Sequence, residues 1–96
     1  MIRSFRDQAT QRIWEGEADR GLPRDIQDVA RRKLRMLNNA QRLDDLRAPP
    51  GNRLEALKAR RKWQYSIRIN DQWRVCFRWS NGDAYGVEIV DYHGKR

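Results

Sequence analysis

The feature that most constrains the fold is an alternation of side chains near the C-terminal end of the chain. From Trp73 to Trp79 the sequence reads WRVCFRW, so an apolar side chain takes every second position and arginine or cysteine stands between. Successive side chains of a β-strand point to opposite faces. One face of this strand is therefore apolar and suits a packed core, while the other presents fixed cations.

Further strands surround this one. Residues 64–69 alternate between apolar and polar side chains, and Asn70-Asp71 after them suits a tight turn. Asn81-Gly82 is typical of a two-residue hairpin turn, and it predicts a final strand over 84–90. Shorter strands are predicted over 1–5 and 53–57. Most of this β-structure lies in the second half of the chain.

The first half is predicted to be helical. Asp7 can cap a helix over 8–15, and Pro23 suits the first turn of a second helix that ends near Asn38-Asn39. Two prolines and a glycine within 48–52 predict a loop. The sequence therefore predicts an α+β fold in one domain over 1–96, an antiparallel sheet with two N-terminal helices packed on one face.

Charge limits the classes of partner. The net charge is +8, and seventeen arginines outnumber four lysines. Arginine presents a planar fork of donors that matches phosphate, so nucleic acid or an acidic protein is the expected partner. Cys76 and His93 are the single cysteine and the single histidine, which excludes an internal disulfide and a zinc set of Cys and His. We expect neither a metal nor a cofactor.

Location follows from what the chain lacks. The N-terminal residues have no apolar run of the kind found in signal peptides, and no stretch is long and apolar enough to span a membrane. We therefore expect a cytoplasmic protein with no membrane partner.

The second half also carries the candidate chemistry. Between Arg53 and Arg78 eight lysines and arginines face only two acids. Cations on rigid strands bind phosphate and stabilise the charge of a phosphorane. In RNA, the 2′-hydroxyl can attack the adjacent phosphate without a metal if a base and an acid are present. Tyr92 and His93 are the candidate acid and base.

Five segments carry a family resemblance. Two of them are specific in combination, namely SIRINDQWRVCF at 66–77 and VEIVDYH at 87–93. The others are the N-terminal MIRSF, the helical segment at 32–37, and the loop and strand at 46–57. In these segments the chain resembles the HigB-type toxins of the RelE/ParE superfamily, the toxin half of bacterial type II toxin–antitoxin pairs.

The resemblance implies a RelE-like fold and a ribosome-dependent mRNA endonuclease that inhibits translation and growth. It also implies a HigA-type helix-turn-helix antitoxin as partner, with operator DNA reached only through that antitoxin, and the 70S ribosome and mRNA as targets. When the catalytic positions of the family are matched to the motifs of this sequence, the implied catalytic residues are Lys58, Arg74, Tyr92 and His93. Arg68 is a further expected contact to phosphate or ribosome. Additional RNA or ribosome contacts are expected from Arg60, Arg61, Lys62 and Arg78.

One motif departs from the family pattern. Some relatives have His-Pro-Leu-Lys-Gly around the lysine, whereas this chain reads Glu55-Ala56-Leu57-Lys58-Ala59. The role of Lys58 is therefore open to an alternative basic residue, namely Arg60, Arg61 or Lys62. Two other functions stay open at this level. A ParE-like toxin would inhibit gyrase through protein contacts without nuclease activity, and a plain nucleic-acid-binding module would only neutralise phosphate.

Overall fold

A computed structural model describes residues 1–92 of the chain. Helices α1 (Gln8–Trp14) and α2 (Arg24–Asn39) precede strands β1 (Glu55–Ala56), β2 (Gln64–Arg68), β3 (Trp73–Ser80) and β4 (Asp83–Asp91). Short 3-10 turns lie at Leu43–Arg47, Pro50–Asn52 and Ala59–Arg61. The strands form one antiparallel sheet in the order β1-β2-β3-β4. The predicted α+β architecture is confirmed.

The helices begin and pack where the sequence predicts. Asp7 caps α1 by accepting a hydrogen bond from the Thr10 amide at 2.8 Å. The buried apolar residues of α2 recur at spacings of three or four, which places them on one side of the helix. They are Ile26, Ala30, Leu34 and Leu37. Within residues 1–92 neither helix is both long and apolar enough to cross a membrane.

The core lies between the helices and one face of the sheet. Val75 and Phe77 on β3 are fully buried there, as is Ile67 on β2. Trp73 and Trp79 pack against the same cluster while remaining partly exposed. This is the apolar face that the alternation in β3 predicts.

Two details differ from the predictions. Residues 1–5 form no regular strand, and only isolated parallel bridges join Ile2 to Ala84 and Phe5 to Val87. Gln64 and Ser66 take the polar positions of the alternation over 64–69, which suggests exposure, but both are buried. The second face of the sheet is therefore largely covered too, partly because Arg61 reaches across it to Gln64 and Glu88.

A β-bulge interrupts β4. Cys76 pairs with Glu88 and Arg78 pairs with Tyr85, so two steps along β3 match three steps along β4. Gly86 lies at the extra position with φ of +58°, a conformation that glycine adopts readily. Beyond the bulge, Glu88 shares a face with Cys76, and Tyr92 follows on that face two alternations later.

Candidate functional site

A cleft of about 830 Å³ opens on the sheet face opposite the helices. Its lining comes from β1 and the loops on either side of it, from the facing ends of β2 and β3 and the turn between them, and from the residue after β4. The lining residues are Arg53, Glu55, Ala56, Leu57, Lys58, Ala59, Arg68, Asn70, Asp71, Arg74 and Tyr92. Four of the residues that the sequence singles out meet here: Lys58, Arg68, Arg74 and Tyr92.

Arg74 is the central cation of this cleft and is only 7% exposed. Its Nη1 donates to Oε1 of Glu55 at 2.6 Å, and its Nη2 donates to the carbonyl of Arg53 at 2.8 Å. The ring of Tyr92 lies 5.7 Å from the guanidinium carbon, within cation–π range. Nε is buried and has no hydrogen-bond partner among residues 1–92. The guanidinium is thus held in place without using all its donors.

The loop before β1 positions one of the two acceptors of Arg74, the Arg53 carbonyl. Asn52 is fully buried, and its Nδ2 donates to the carbonyls of Leu46 at 3.1 Å and Ala48 at 3.3 Å. Its Oδ1 accepts from Nζ of Lys33 at 2.6 Å, and burial lowers the pKa of this lysine, with Arg32 and Arg68 adding repulsion. Because Asn52 anchors the loop, the next residue delivers its carbonyl to Arg74.

The other three residues form the walls of the cleft. Arg68 is the direct ladder partner of Arg74 and makes an ion pair with Asp71. Lys58 follows β1 and is exposed, and Tyr92 is half-buried after the end of β4. With Arg53, the cleft is lined by four cations and a phenol, a set that suits a phosphodiester. Among the described residues, no group of three or more His, Cys, Asp or Glu side chains could hold a metal ion.

The remaining predicted residues lie elsewhere. Arg61 is half-buried and makes an ion pair with Glu88 at 3.3 Å. Arg60, Lys62 and Arg78 are exposed and do not line the cleft. His93 lies outside the described residues, so its predicted role stays a prediction.

Cys76 is a buried strand residue, as its position in the sequence suggests. Burial raises the pKa of its thiol to about 11, which leaves little thiolate at neutral pH. Ser66 is its ladder partner on β2, and the Ser66 hydroxyl has no partner among residues 1–92. Neither residue lines the cleft.

Comparison with known proteins identifies the family of this chain. Residues 3–93 match the sequence model of a protein family described as the RelE-like toxin of the type II toxin–antitoxin system HigB. This chain belongs to the HigB-like toxin family. The membership predicted from the sequence motifs is confirmed, and so is the RelE-like fold.

Two curated relatives align over nearly their whole length. Toxin HigB-1 of Vibrio cholerae is 40% identical over 90 residues, which are 93% of this chain and 95% of the relative. Endoribonuclease HigB of Proteus vulgaris is 30% identical over 93 residues, or 97% of this chain and all of the relative. As a type II toxin, this HigB-like protein has an antitoxin as its partner. The matches support the endonuclease toxin rather than the ParE-like alternative.

Two features of the candidate site of this HigB-like toxin were not predicted from its sequence. Glu55 was noted only as an acid standing where some relatives have histidine, yet it is the direct partner of Arg74. The carbonyl of Arg53 was not predicted at all. No local pattern marks the first feature, because it follows from the pairing of β1 with β2, which sets Glu55 opposite Ser66. No side-chain pattern marks the second, because a backbone carbonyl is present at every position.

Proposed function

We propose that this toxin is a ribosome-dependent mRNA endonuclease that inhibits translation and growth. One observation carries the proposal: Lys58, Arg68, Arg74 and Tyr92 line a single cleft of about 830 Å³. A relative named Endoribonuclease HigB, which this chain matches over 93 residues, supports the reaction class. The reaction needs no metal, because the RNA supplies its own nucleophile.

In the proposed reaction the 2′-hydroxyl loses its proton and its oxygen attacks the adjacent phosphorus. The bond from phosphorus to the 5′-oxygen breaks, and that oxygen takes up a proton. The products are a 2′,3′-cyclic phosphate and a free 5′-hydroxyl. Tyr92 and His93 share the two proton transfers, since an imidazole with a pKa near neutrality suits both directions.

The cations act on the phosphate. Lys58 holds the scissile phosphate at the mouth of the cleft, and Arg68 holds a neighbouring one. Arg74 stabilises the negative charge that grows on the phosphorane oxygens. Because Glu55 and the Arg53 carbonyl already hold this guanidinium, little ordering is needed when the transition state forms.

The proposed partners follow from the same charges. The exposed Arg60 and Lys62 of the loop after β1, together with Arg78, would bind RNA of the translating ribosome, and the ribosome would place mRNA in the cleft. A HigA-type helix-turn-helix antitoxin would silence the toxin and provide its only link to operator DNA. We place both proteins in the cytoplasm, where translated mRNA is found.

End-group analysis of mRNA cleaved on purified ribosomes tests the mechanism. We expect a 2′,3′-cyclic phosphate on the upstream fragment, a 5′-hydroxyl on the downstream fragment, and no cleavage when the nucleotide before the cut lacks its 2′-hydroxyl. His93→Ala should slow the reaction. A 3′-hydroxyl with a 5′-phosphate would refute the mechanism. Chelation is not a useful control, because the ribosome itself needs magnesium.

A further inference from the structure

Trp63 differs from the other tryptophans of the chain. Trp14, Trp73 and Trp79 pack against the hydrophobic core. Trp63 is 77% exposed and stands immediately before β2. Burial of its ring therefore contributes almost nothing to the fold, and its position at the surface calls for another explanation.

The backbone at Trp63 adds a second anomaly. Its φ is +78°, in the left-handed region where glycine is at ease and a bulky side chain is disfavoured. A residue held in such a conformation is more often found at a functional site than in an ordinary loop. The largest aromatic side chain thus stands exposed at a position where glycine would fit better.

The charges around Trp63 indicate what it could bind. Nζ of Lys62 lies 5.1 Å from the centre of its ring. Lys58, Arg60 and Lys62 are exposed, and none of them makes an ion pair within residues 1–92. These cations belong to one segment, residues 58–62, which we call the basic loop. Because Lys58 and Ala59 line the cleft, the basic loop leads directly from the cleft to Trp63.

We propose that Trp63 is a stacking platform for an unpaired base of the mRNA strand that enters the cleft. This inference rests on the proposed function, because the strand in the cleft must be RNA. An aromatic ring stacks on any base, and cations beside it hold the flanking phosphates. The site would therefore bind the strand without a strong sequence preference.

A protein partner fits this surface less well. Docking sites for proteins usually combine several apolar side chains with few charges at their centre. The other exposed large hydrophobic residues within 1–92 are Met1 and Tyr85, and neither belongs to the basic loop. Trp63 is an isolated ring among cations, which matches single-stranded RNA.

A pair of substitutions at this position separates stacking from folding. Trp63→Gly removes the ring but suits the positive φ, so the variant should melt at the wild-type temperature or higher. Trp63→Phe keeps an aromatic face. The probe is a fluorescein-labelled octanucleotide of unpaired RNA, 2′-O-methylated throughout to prevent cleavage, and its binding is measured by fluorescence anisotropy. We expect about tenfold weaker binding by Trp63→Gly and a change of about threefold or less for Trp63→Phe.

The results distinguish this inference from the proposed function. Unchanged affinity of Trp63→Gly for the octanucleotide would overturn the inference, even if the wild-type toxin cleaves mRNA as proposed. Weaker octanucleotide binding by Trp63→Gly would support it, even if end-group analysis rejects the mechanism. Binding of Trp63→Gly to vacant ribosomes and to the antitoxin is measured as well. Weaker binding to vacant ribosomes alone would assign the ring to rRNA, and weaker binding to the antitoxin alone would assign it to a protein interface. Either of these results would also overturn the inference.

Discussion

The two faces of the sheet are both buried, but by different means. On the helix side, Val75 and Phe77 are covered by packed aliphatic and aromatic side chains. On the opposite side, Arg74 is nearly as inaccessible, yet it is held by a carboxylate, a carbonyl and an aromatic ring. Side chains on one face are buried by apolar packing, whereas Arg74 on the other face is buried among polar and aromatic partners.

The contrast separates structural burial from functional burial. A packed apolar side chain has no preferred chemistry, and its removal leaves a cavity. A buried guanidinium with an unused donor has a large desolvation cost that only polar partners offset. Burial of this second kind, in a residue that lines an open cleft, is what the proposed contact between Arg74 and phosphate requires. Substitutions on the two faces should therefore fail in different assays.

The largest expected effect lies on the packed face. Phe77→Ala should lower the free energy of unfolding by about 3–5 kcal/mol, because the ring is fully buried and leaves a cavity. Urea denaturation followed by circular dichroism measures this loss. Cys76→Ala is the matched control, since it changes the next residue on the opposite face and should cost about 1 kcal/mol. Equal losses in the two variants would erase the distinction between the faces.

The next effect lies on the charged face. Arg74→Ala should slow mRNA cleavage about a hundredfold, as expected when a group that stabilises the transition state is lost. Its free energy of unfolding should change little, because the Glu55 side chain left behind is 56% exposed and stays hydrated. Cleavage is measured on programmed ribosomes with toxin in excess.

Arg24→Ala serves as the control for Arg74→Ala, since it removes the same charge from an exposed position at the start of α2. It should cleave at the wild-type rate. A folded Arg74→Ala variant with wild-type cleavage would remove Arg74 from the mechanism.

A smaller effect concerns Cys76 and alkaline pH. The pKa of its thiol rises from 9.0 to about 11 because burial opposes the thiolate. The unfolded chain therefore releases this proton first as pH rises, and the stability due to the neutral thiol is intact below pH 9 and lost between about 9 and 11. The loss should reach about 2 kcal/mol.

The measurement compares wild type with Cys76→Ala between pH 8 and pH 11, since the difference cancels titrations common to both. Wild type should lose more stability over this range. Parallel pH curves for the two proteins would show that the thiol is not held in its neutral form. Iodoacetamide at pH 8 offers an independent check, because it should modify the native thiol far more slowly than the unfolded one.

Much of the fold could be predicted because its signals are local. The Asn81-Gly82 turn and the alternation in β3 together set the last hairpin, and Asp7 marks the start of α1. What escaped prediction depends on contacts between distant segments. The burial of Ser66 and the pairing of Glu55 with Arg74 both require knowing how β1 lies against β2. In the candidate site, the family motifs predicted Arg74 and Tyr92, whereas the Arg53 carbonyl carries no such signature.

The bulge in β4 has a consequence for how this toxin can vary. Tyr92 faces the cleft, and Ile89 the core, only because β4 contains one residue more than β3 at this point. Removing that residue would restore a regular ladder but turn the strand end over, sending Tyr92 toward the helices and Ile89 toward the cleft. Deletion of Gly86 should therefore exchange the core-facing and cleft-facing side chains of the rest of β4. Residues after Gly86 can therefore be substituted one at a time, whereas a deletion in β4 would change the facing of every later residue of the strand.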